Sequence, residues 1–297
     1  MKKKETVYLL AVLLSGCLWG LMGYFRRRMG VMGFDSFGVI FVRCGVGSLF
    51  FAATILLTDP SGFCVRWQDA WCFVGSGLCS LLFFSACYFQ AMTMMSLSAA
   101  AILLYTAPCF VMLLSALLFR EKLTARKLTA MALAFVGCCL VSGIMGSEMH
   151  LSAAGLLYGL GAGFGYALYS IFGKFALARG HRSTTINFYS CLLAALGAGV
   201  IWGFDKPLEL MTASAGNFFF CLATAVVTTY LPYFLYTYGL TGLEAGKASV
   251  MASVEPVVAT LVGLIAFHEL PSAWSVLGIV LVLAAIVLLN GKGKERG

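Results

Sequence analysis

The sequence predicts an all-α integral membrane protein with ten transmembrane helices in two inverted five-helix repeats. Three observations carry that expectation. The 297 residues are 61% hydrophobic and only 11% charged, whereas a soluble domain carries roughly 25% charged residues. The apolar residues gather into long runs, each near the ~20 residues that cross ~30 Å of hydrocarbon as a helix. The second half of the chain also echoes the first at an offset of 147 to 148 positions.

The runs are 6–25, 35–57, 68–91, 96–119, 126–145, 152–173, 183–204, 214–239, 244–267 and 273–291. The first needs a decision. Lys2–Lys4 before an apolar stretch resembles a signal peptide, and Leu14-Ser15-Gly16-Cys17 matches a bacterial lipoprotein cleavage pattern. The stretch runs on through Trp19 to Phe25, so it is read as an uncleaved span. The remaining runs are continuous, without the short alternating segments of a β-barrel. With no water in the bilayer to satisfy the backbone, they are read as helices. Short connectors leave no room for an appended soluble domain.

The echo between halves extends over most spans. Gly16 and Trp19 face Gly163 and Tyr166, Pro60 faces Pro207, and Tyr88 faces Tyr236. Pro108 faces Pro256, Phe119 faces Phe267, and Glu121 faces Glu269. Repeats are therefore expected at 1–147 and 148–297. Five spans is an odd number, so the second copy enters the membrane from the opposite side. Inverted repeats of this kind are a transporter layout, and they give one pattern two similar packings facing opposite ways.

Basic residues set the orientation. With a cytoplasmic N-terminus, 14 Lys and Arg fall inside, 4 fall outside (Arg26, Arg27, Arg28 and Lys206), and Arg43 and Lys247 lie within spans. That bias favours both termini in the cytoplasm of a cell whose plasma membrane holds the protein. The net charge of +8 is spread over connectors and forms no patch, which excludes a nucleic-acid partner. The eleven cysteines show no metal-ligand spacing and read as small hydrophobes. His268-Glu269 begins a zinc-protease pattern but has no second histidine, and no P-loop, nucleotide fingerprint or GxSxG is present. No catalytic residue, metal or cofactor is expected.

Few polar groups lie at depth. Glu255 is the chief one, because a carboxylate at the bilayer centre costs ~2.5–3.5 kcal/mol on insertion scales. It reads either as a substrate contact or proton carrier, or as a structural acid bonded to Arg43 or to backbone freed by Pro256. Arg43 either faces a cavity or snorkels to the interface. Pro108, Pro232 and Pro256 each remove a helix hydrogen bond and are expected to kink their helices; Pro232 stands opposite Phe84 and has no counterpart. Glu244, Lys247, Met251 and Glu255 share one broad helix face, beside a small-residue stripe of Gly246, Ser249, Ser253, Thr260 and Gly263 suited to packing. Aromatics at depth want hydroxyl partners, and a polar cavity supplies them. The expected cavity residues are Glu255, Trp19, Tyr88, Tyr105, Tyr166, Tyr233, Tyr236 and Arg43, with Tyr169 and Tyr230 expected to pack.

The residues that surround Glu255 also carry a resemblance. Leu240-Thr241-Gly242-Leu243-Glu244-Ala245, then Ser249 to Pro256, then His268-Glu269-Leu270 and Gly278, resemble the EamA family of the drug/metabolite transporter superfamily. The first half carries a weaker copy in Met94 to Ala99, Pro108, Arg120-Glu121-Lys122-Leu123 and Gly137, and Trp19-Gly20 also fits. Two departures stand out. Ala107 occupies the position of Glu255, and Arg120 and His268 replace the usual Gly before Glu. The resemblance implies ten helices, cytoplasmic termini and a central cavity at the repeat interface. It also implies transport of amino acids and related metabolites, mostly export. The expected function is thus secondary transport of small organic metabolites by alternating access in the lipid bilayer, with proton coupling left open. The alternative, a polytopic enzyme acting on lipid-linked substrate, needs a nucleophile or metal set at depth that the sequence does not supply.

Overall fold

The computed structural model describes residues 2–143 and 152–290, with the backbone alone described at Lys2, Lys3, Leu97 and Ser98. The expected repeat boundary at 147/148, His150 and the basic C-terminus lie outside the described residues. Among the described residues, ten long helical units follow in order. They are α1 (Lys2–Gly20, then Met22–Val31), α2 (Ser36–Thr58), α3 (Ala70–Val74, Gly75–Leu82, Phe83–Met94), α4 (Leu97–Leu104, then Ala107–Phe119) and α5 (Ala125–Val141). The second set is α6 (Ala153–Ala178), α7 (Ser183–Trp202), α8 (Ala215–Ala225, Val226–Tyr230, Leu231–Leu240), α9 (Ala245–Ala252, then Glu255–Phe267) and α10 (Ala273–Asn290). A short helix, Asp205–Thr212, joins α7 to α8. Among the described residues, nine helices are long and apolar enough to span a membrane. The tenth unit, α5, has 17 residues, one fewer than α10 with its 18.

The starts of these helices are written in capping residues. Asp35, Ser96, Thr124, Ser152, Ser214 and Ser272 each accept from the backbone N–H three residues on. This satisfies a donor that has no partner inside the helix. Thr124 and Ser272 are repeat counterparts, 148 positions apart, so the caps of α5 and α10 are duplicated along with the helices.

Three sequence expectations change. The first span does not end at Phe25: after a break at Leu21 it continues to Val31, so Arg26–Arg28 are helical. Their long stems let the heads reach partners outside the apolar zone; Arg26 bonds Ser36 (2.6 Å) and Arg27 pairs with Glu269 (2.7 Å). The bends expected at Pro108 and Pro256 are full interruptions. The first halves end at Leu104 and Ala252, each four residues before its proline, where the missing N–H and the ring both act. The polar face expected on α9 is therefore split by the break. Its Glu244 and Lys247 pair with Lys127 and Glu5 at one end, and its Glu255 opens the second half.

Each helix packs mainly against the other repeat. α1 lies on α8 and α9, α6 on α3 and α4, α2 on α7, and α5 on α10. Small residues set the approach. A Cβ on Gly16 would stand 2.9 Å from the Ala252 carbonyl, and one on Gly163 would stand 2.7 Å from the Leu103 carbonyl. The glycines of α1 and α6 thus press on the breaks of α9 and α4. At the α5–α10 crossing, Gly137 faces the Gly278 carbonyl and Gly278 faces the Gly137 carbonyl, at 2.7 and 2.5 Å from the added Cβ. The repeat counterparts of these two glycines, Ala285 and Ala130, are themselves fully buried. The two helices therefore meet along small residues contributed in equivalent places by both repeats.

Candidate functional site

A cavity of about 710 Å³ opens on the face opposite the N-terminus of the chain. Its walls come from α3 (Tyr88), α4 (Ala101, Tyr105), the end of α5 (Val141 to Gly143), the second half of α9 (Pro256, Ala259, Thr260, Gly263) and the turn Glu269 to Ser275. Thr260 and Gly263 face this space. That corrects their expected place in a helix-packing stripe; Gly246 of that set does pack, against Met112 and Ser115 of α4.

Two tighter spaces continue inward. The first, about 30 Å³, lies between the breaks of α4 and α9 and is lined by Tyr105, Ala107, Pro108, Tyr166, Ser249, Ser253 and Glu255 among others. The second, about 10 Å³, is an aromatic box of Trp19, Phe84, Tyr166, Tyr169, Tyr233 and Tyr236, with Ser80 and Ser170. Tyr105 borders both the cavity and the first space, and Tyr166 borders both spaces. The three spaces therefore adjoin in a route, with these two rings at the borders.

Glu255 begins the second half of α9, where the positive end of a helix favours a carboxylate. Its Oε2 accepts from the Tyr166 hydroxyl at 3.5 Å, and the side chain is only half-buried. Ser249 also lines this space, buried, with an Oγ that has no hydrogen-bond partner among the described residues. Trp19 stands over the box with its ring 5.2 Å from Tyr233 and 5.3 Å from Tyr236, edge-on or tilted, as ring quadrupoles prefer. Tyr236 is held by Ser170 at 2.8 Å. Among the described residues, no Lys, Arg or His lines the cavity or either space; the ionisable acids there are Glu255 and Glu269.

Of the expected residues, Trp19, Tyr88, Tyr105, Tyr166, Tyr233, Tyr236 and Glu255 come together along this route. Arg43 does not. Its guanidinium donates to the Thr229 hydroxyl and the Thr228 carbonyl, both at 3.1 Å. Pro232 has no N–H to offer that carbonyl, four residues back. Arg43 thus answers the unpaired proline of α8, and it is not among the residues that line the cavity or the two inner spaces. Tyr230 packs on Phe51 and bonds Thr54, as expected of a packing residue. Tyr169 instead lines the box and bonds Asn187 and Thr237. Nothing in the sequence separates it from Tyr230, because an aromatic at depth has no period that tells lumen from seam.

The opposite face is closed. Lys174 donates to the carbonyls of Leu240 (3.2 Å) and Leu243 (2.5 Å), Lys247 pairs with Glu5, and Lys127 pairs with Glu244. The Glu121 carboxylate accepts from the N–H groups of Ala245 (2.9 Å) and Gly246 (3.3 Å), at the start of α9. In the sequence Glu121 is legible only as part of the repeat; the role of its carboxylate depends on the fold.

The same scaffold occurs elsewhere. A solved crystal structure superposes with a TM-score of 0.82 over 96% of each chain at 16% identity. The chain is 29% identical, over 94% of both lengths, to an Archaeoglobus fulgidus protein named "Uncharacterized transporter". It is 25% identical, over 99% of its own length and 93% of the relative's, to Bacillus subtilis "Uncharacterized transporter YxxF". It is also 24% identical, over 64% and 66%, to a Salmonella typhimurium "Probable amino-acid metabolite efflux pump". The profile of the EamA-like transporter family matches residues 6–143 and again 153–291. Duplicated profile, relatives and helical scaffold agree, and the chain is a multi-pass membrane protein of the EamA-like transporter family.

Proposed function

We propose that this protein is a secondary transporter that exports small organic metabolites such as amino acids by alternating access. In this reading it sits in the cell membrane with both termini in the cytoplasm. One observation carries the proposal: a route of adjoining spaces that opens on one face, is bridged by polar contacts on the other, and passes a carboxylate, Glu255, between two broken helices. Broken helices at the interface of inverted repeats are where transporters hold substrate. A carboxylate among aromatic rings, with no cation on the walls among the described residues, suits a protonated amine. The name of the Salmonella relative points to the same substrate class.

The decisive measurement is flux of a panel of radiolabelled amino acids across sealed vesicles that hold the purified chain. At least one is expected to exchange faster than in empty vesicles. Glu255→Gln is expected to cut that flux at least about tenfold, the loss of one charge-assisted contact, while the variant still inserts and purifies. Undiminished flux would remove Glu255 from the site. Proton coupling is read in the same vesicles: a flux indifferent to an imposed pH gradient rules it out.

A further inference from the structure

We propose that Glu121 and Glu269 are paired latches, each closing one face of the membrane by capping the broken helix of the other repeat. The inference rests on the alternating-access reading and adds the residues that would execute it.

The two glutamates are copies, 148 positions apart. Each follows a residue in the left-handed region, Arg120 and His268, both with φ of 57°. Each then turns its own N–H back to the preceding helix, Glu121 to the Ser115 carbonyl at 3.3 Å and Glu269 to the Gly263 carbonyl at 3.1 Å. Ser115 and Gly263 are again 148 positions apart. The local fold is therefore the same, and the environments differ. Glu121 bonds two N–H groups at the start of α9, on the closed face. Glu269 stands in the wall of the open cavity and pairs with Arg27 at 2.7 Å, with both side chains about half exposed. One molecule thus displays the same device fastened on one face and unfastened on the other.

The repeat supplies the second state. Ala245 and Gly246 correspond to Leu97 and Ser98, at the start of α4. In that state Glu269 leaves Arg27 and accepts from the backbone N–H groups of those two residues. Glu121 releases α9. The α1–α6 register, offset by 147, places Lys174 at the position of Arg27. Lys174 therefore becomes the holder of the released Glu121, as Arg27 now holds Glu269. A carboxylate accepting two helix N–H groups makes a strong, directional contact with a helix end. An exposed ion pair such as Arg27–Glu269 contributes little, so the resting position costs little to leave. Matched latches keep the two states near balance, which lets substrate binding shift their populations.

Hydrogen exchange of the full chain in lipid nanodiscs reads the latched amides directly. In Glu121→Gln, exchange at Ala245–Lys247 is expected to rise about tenfold, as a charged acceptor becomes neutral. At the same time the amides at 97–100 and 269–275 slow, because the population moves to the opposite state. Glu269→Gln is expected to do the reverse, slowing exchange at Ala245–Lys247. Glu121→Asp, which keeps the charge and shortens the reach, serves if the glutamine variant folds poorly. It is expected to give the same reciprocal pattern, more weakly. A rise confined to α9 in the Glu121 variants, with the other face unchanged, would mean an ordinary structural cap and overturn the proposal. So would a Glu269→Gln pattern identical to the parent. Exchange needs no substrate, so failed latches and a failed transport reading give different results: the first leaves flux in the parent, the second leaves reciprocal exchange without flux.

Discussion

Arg43 and Glu255 are both charged residues within spans, and their surroundings assign them different work. Arg43 spends two donors on α8, one of them on the carbonyl that Pro232 leaves without its usual N–H. That pairing predicts a coupled cost. Arg43→Met should lower the thermal midpoint in detergent, because the Thr228 carbonyl and Thr229 hydroxyl lose their partner. In a Pro232→Ala background the same change should cost less, since the alanine restores an N–H within reach of that carbonyl. The expected coupling is about 0.5–3 kcal/mol, as for residues that share a partner; strict additivity would show that Arg43 answers something else. Glu255 keeps its bond to Tyr166 and is half-buried. The cost of burying a charge makes Glu255 legible from sequence alone. Ser249 is not legible as a site residue, since its unpartnered hydroxyl becomes notable only when burial and neighbours are known. The fate of Arg43 is also hidden, because sequence spacing cannot say that α2 passes the stretch of α8 before Pro232.

At the scale of elements, the two repeats share devices that composition does not reveal. Both third helices of the repeats carry a π-helical stretch, at Gly75–Leu82 in α3 and Val226–Tyr230 in α8. Such stretches commonly sit at functional sites, and here Ser80 of the first lines the aromatic box. The breaks in α4 and α9 are half-legible: the prolines mark the place, and the full interruption follows from the ring clashing with the carbonyl four residues back. The small residues are legible as packing sites but not as to their partners. Gly137 and Gly278 face each other across the α5–α10 crossing. A methyl at Gly137 would stand 2.7 Å, and one at Gly278 2.5 Å, from the other's carbonyl oxygen. Gly137→Ala is therefore expected to destabilise the protein by about 1–3 kcal/mol, the cost of overpacking, and Gly278→Ala by a similar amount. Either would be visible as a lower thermal midpoint. The double variant should cost less than the sum, because separating α5 from α10 once makes room for both methyls. Gly180, by contrast, has open space around it and a φ of 86°. There an alanine is strained through backbone conformation alone.

For the whole molecule, the sequence repeat and the packing unit are different things. The chain reads as two consecutive five-helix copies, matched at 6–143 and 153–291, yet the strongest contacts run between the copies. α1 rests on α9, α6 on α4, α2 on α7, and α5 on α10. This interlacing has a physical consequence for folding. A half expressed alone keeps its apolar spans and can insert, because insertion depends on hydrophobicity and flanking charge. It cannot close the breaks of α4 or α9, since the glycines that cover them belong to the other half. Nor can residues 1–147 cap a helix with Glu121 in the same way, since the N–H groups it bonds lie on α9. We therefore expect residues 1–147 and residues 148–297, made separately, to insert but to be digested by added protease and to aggregate in detergent. Co-expressed from two messages, they should recover a protease-resistant complex that elutes as one species. A first half that alone resists protease and elutes as a discrete species would show that the repeats are self-sufficient domains. The interfaces between them would then be docking surfaces and not the core of the fold. The rocking of one repeat on the other would follow, in place of the exchange of latches between interlaced helices.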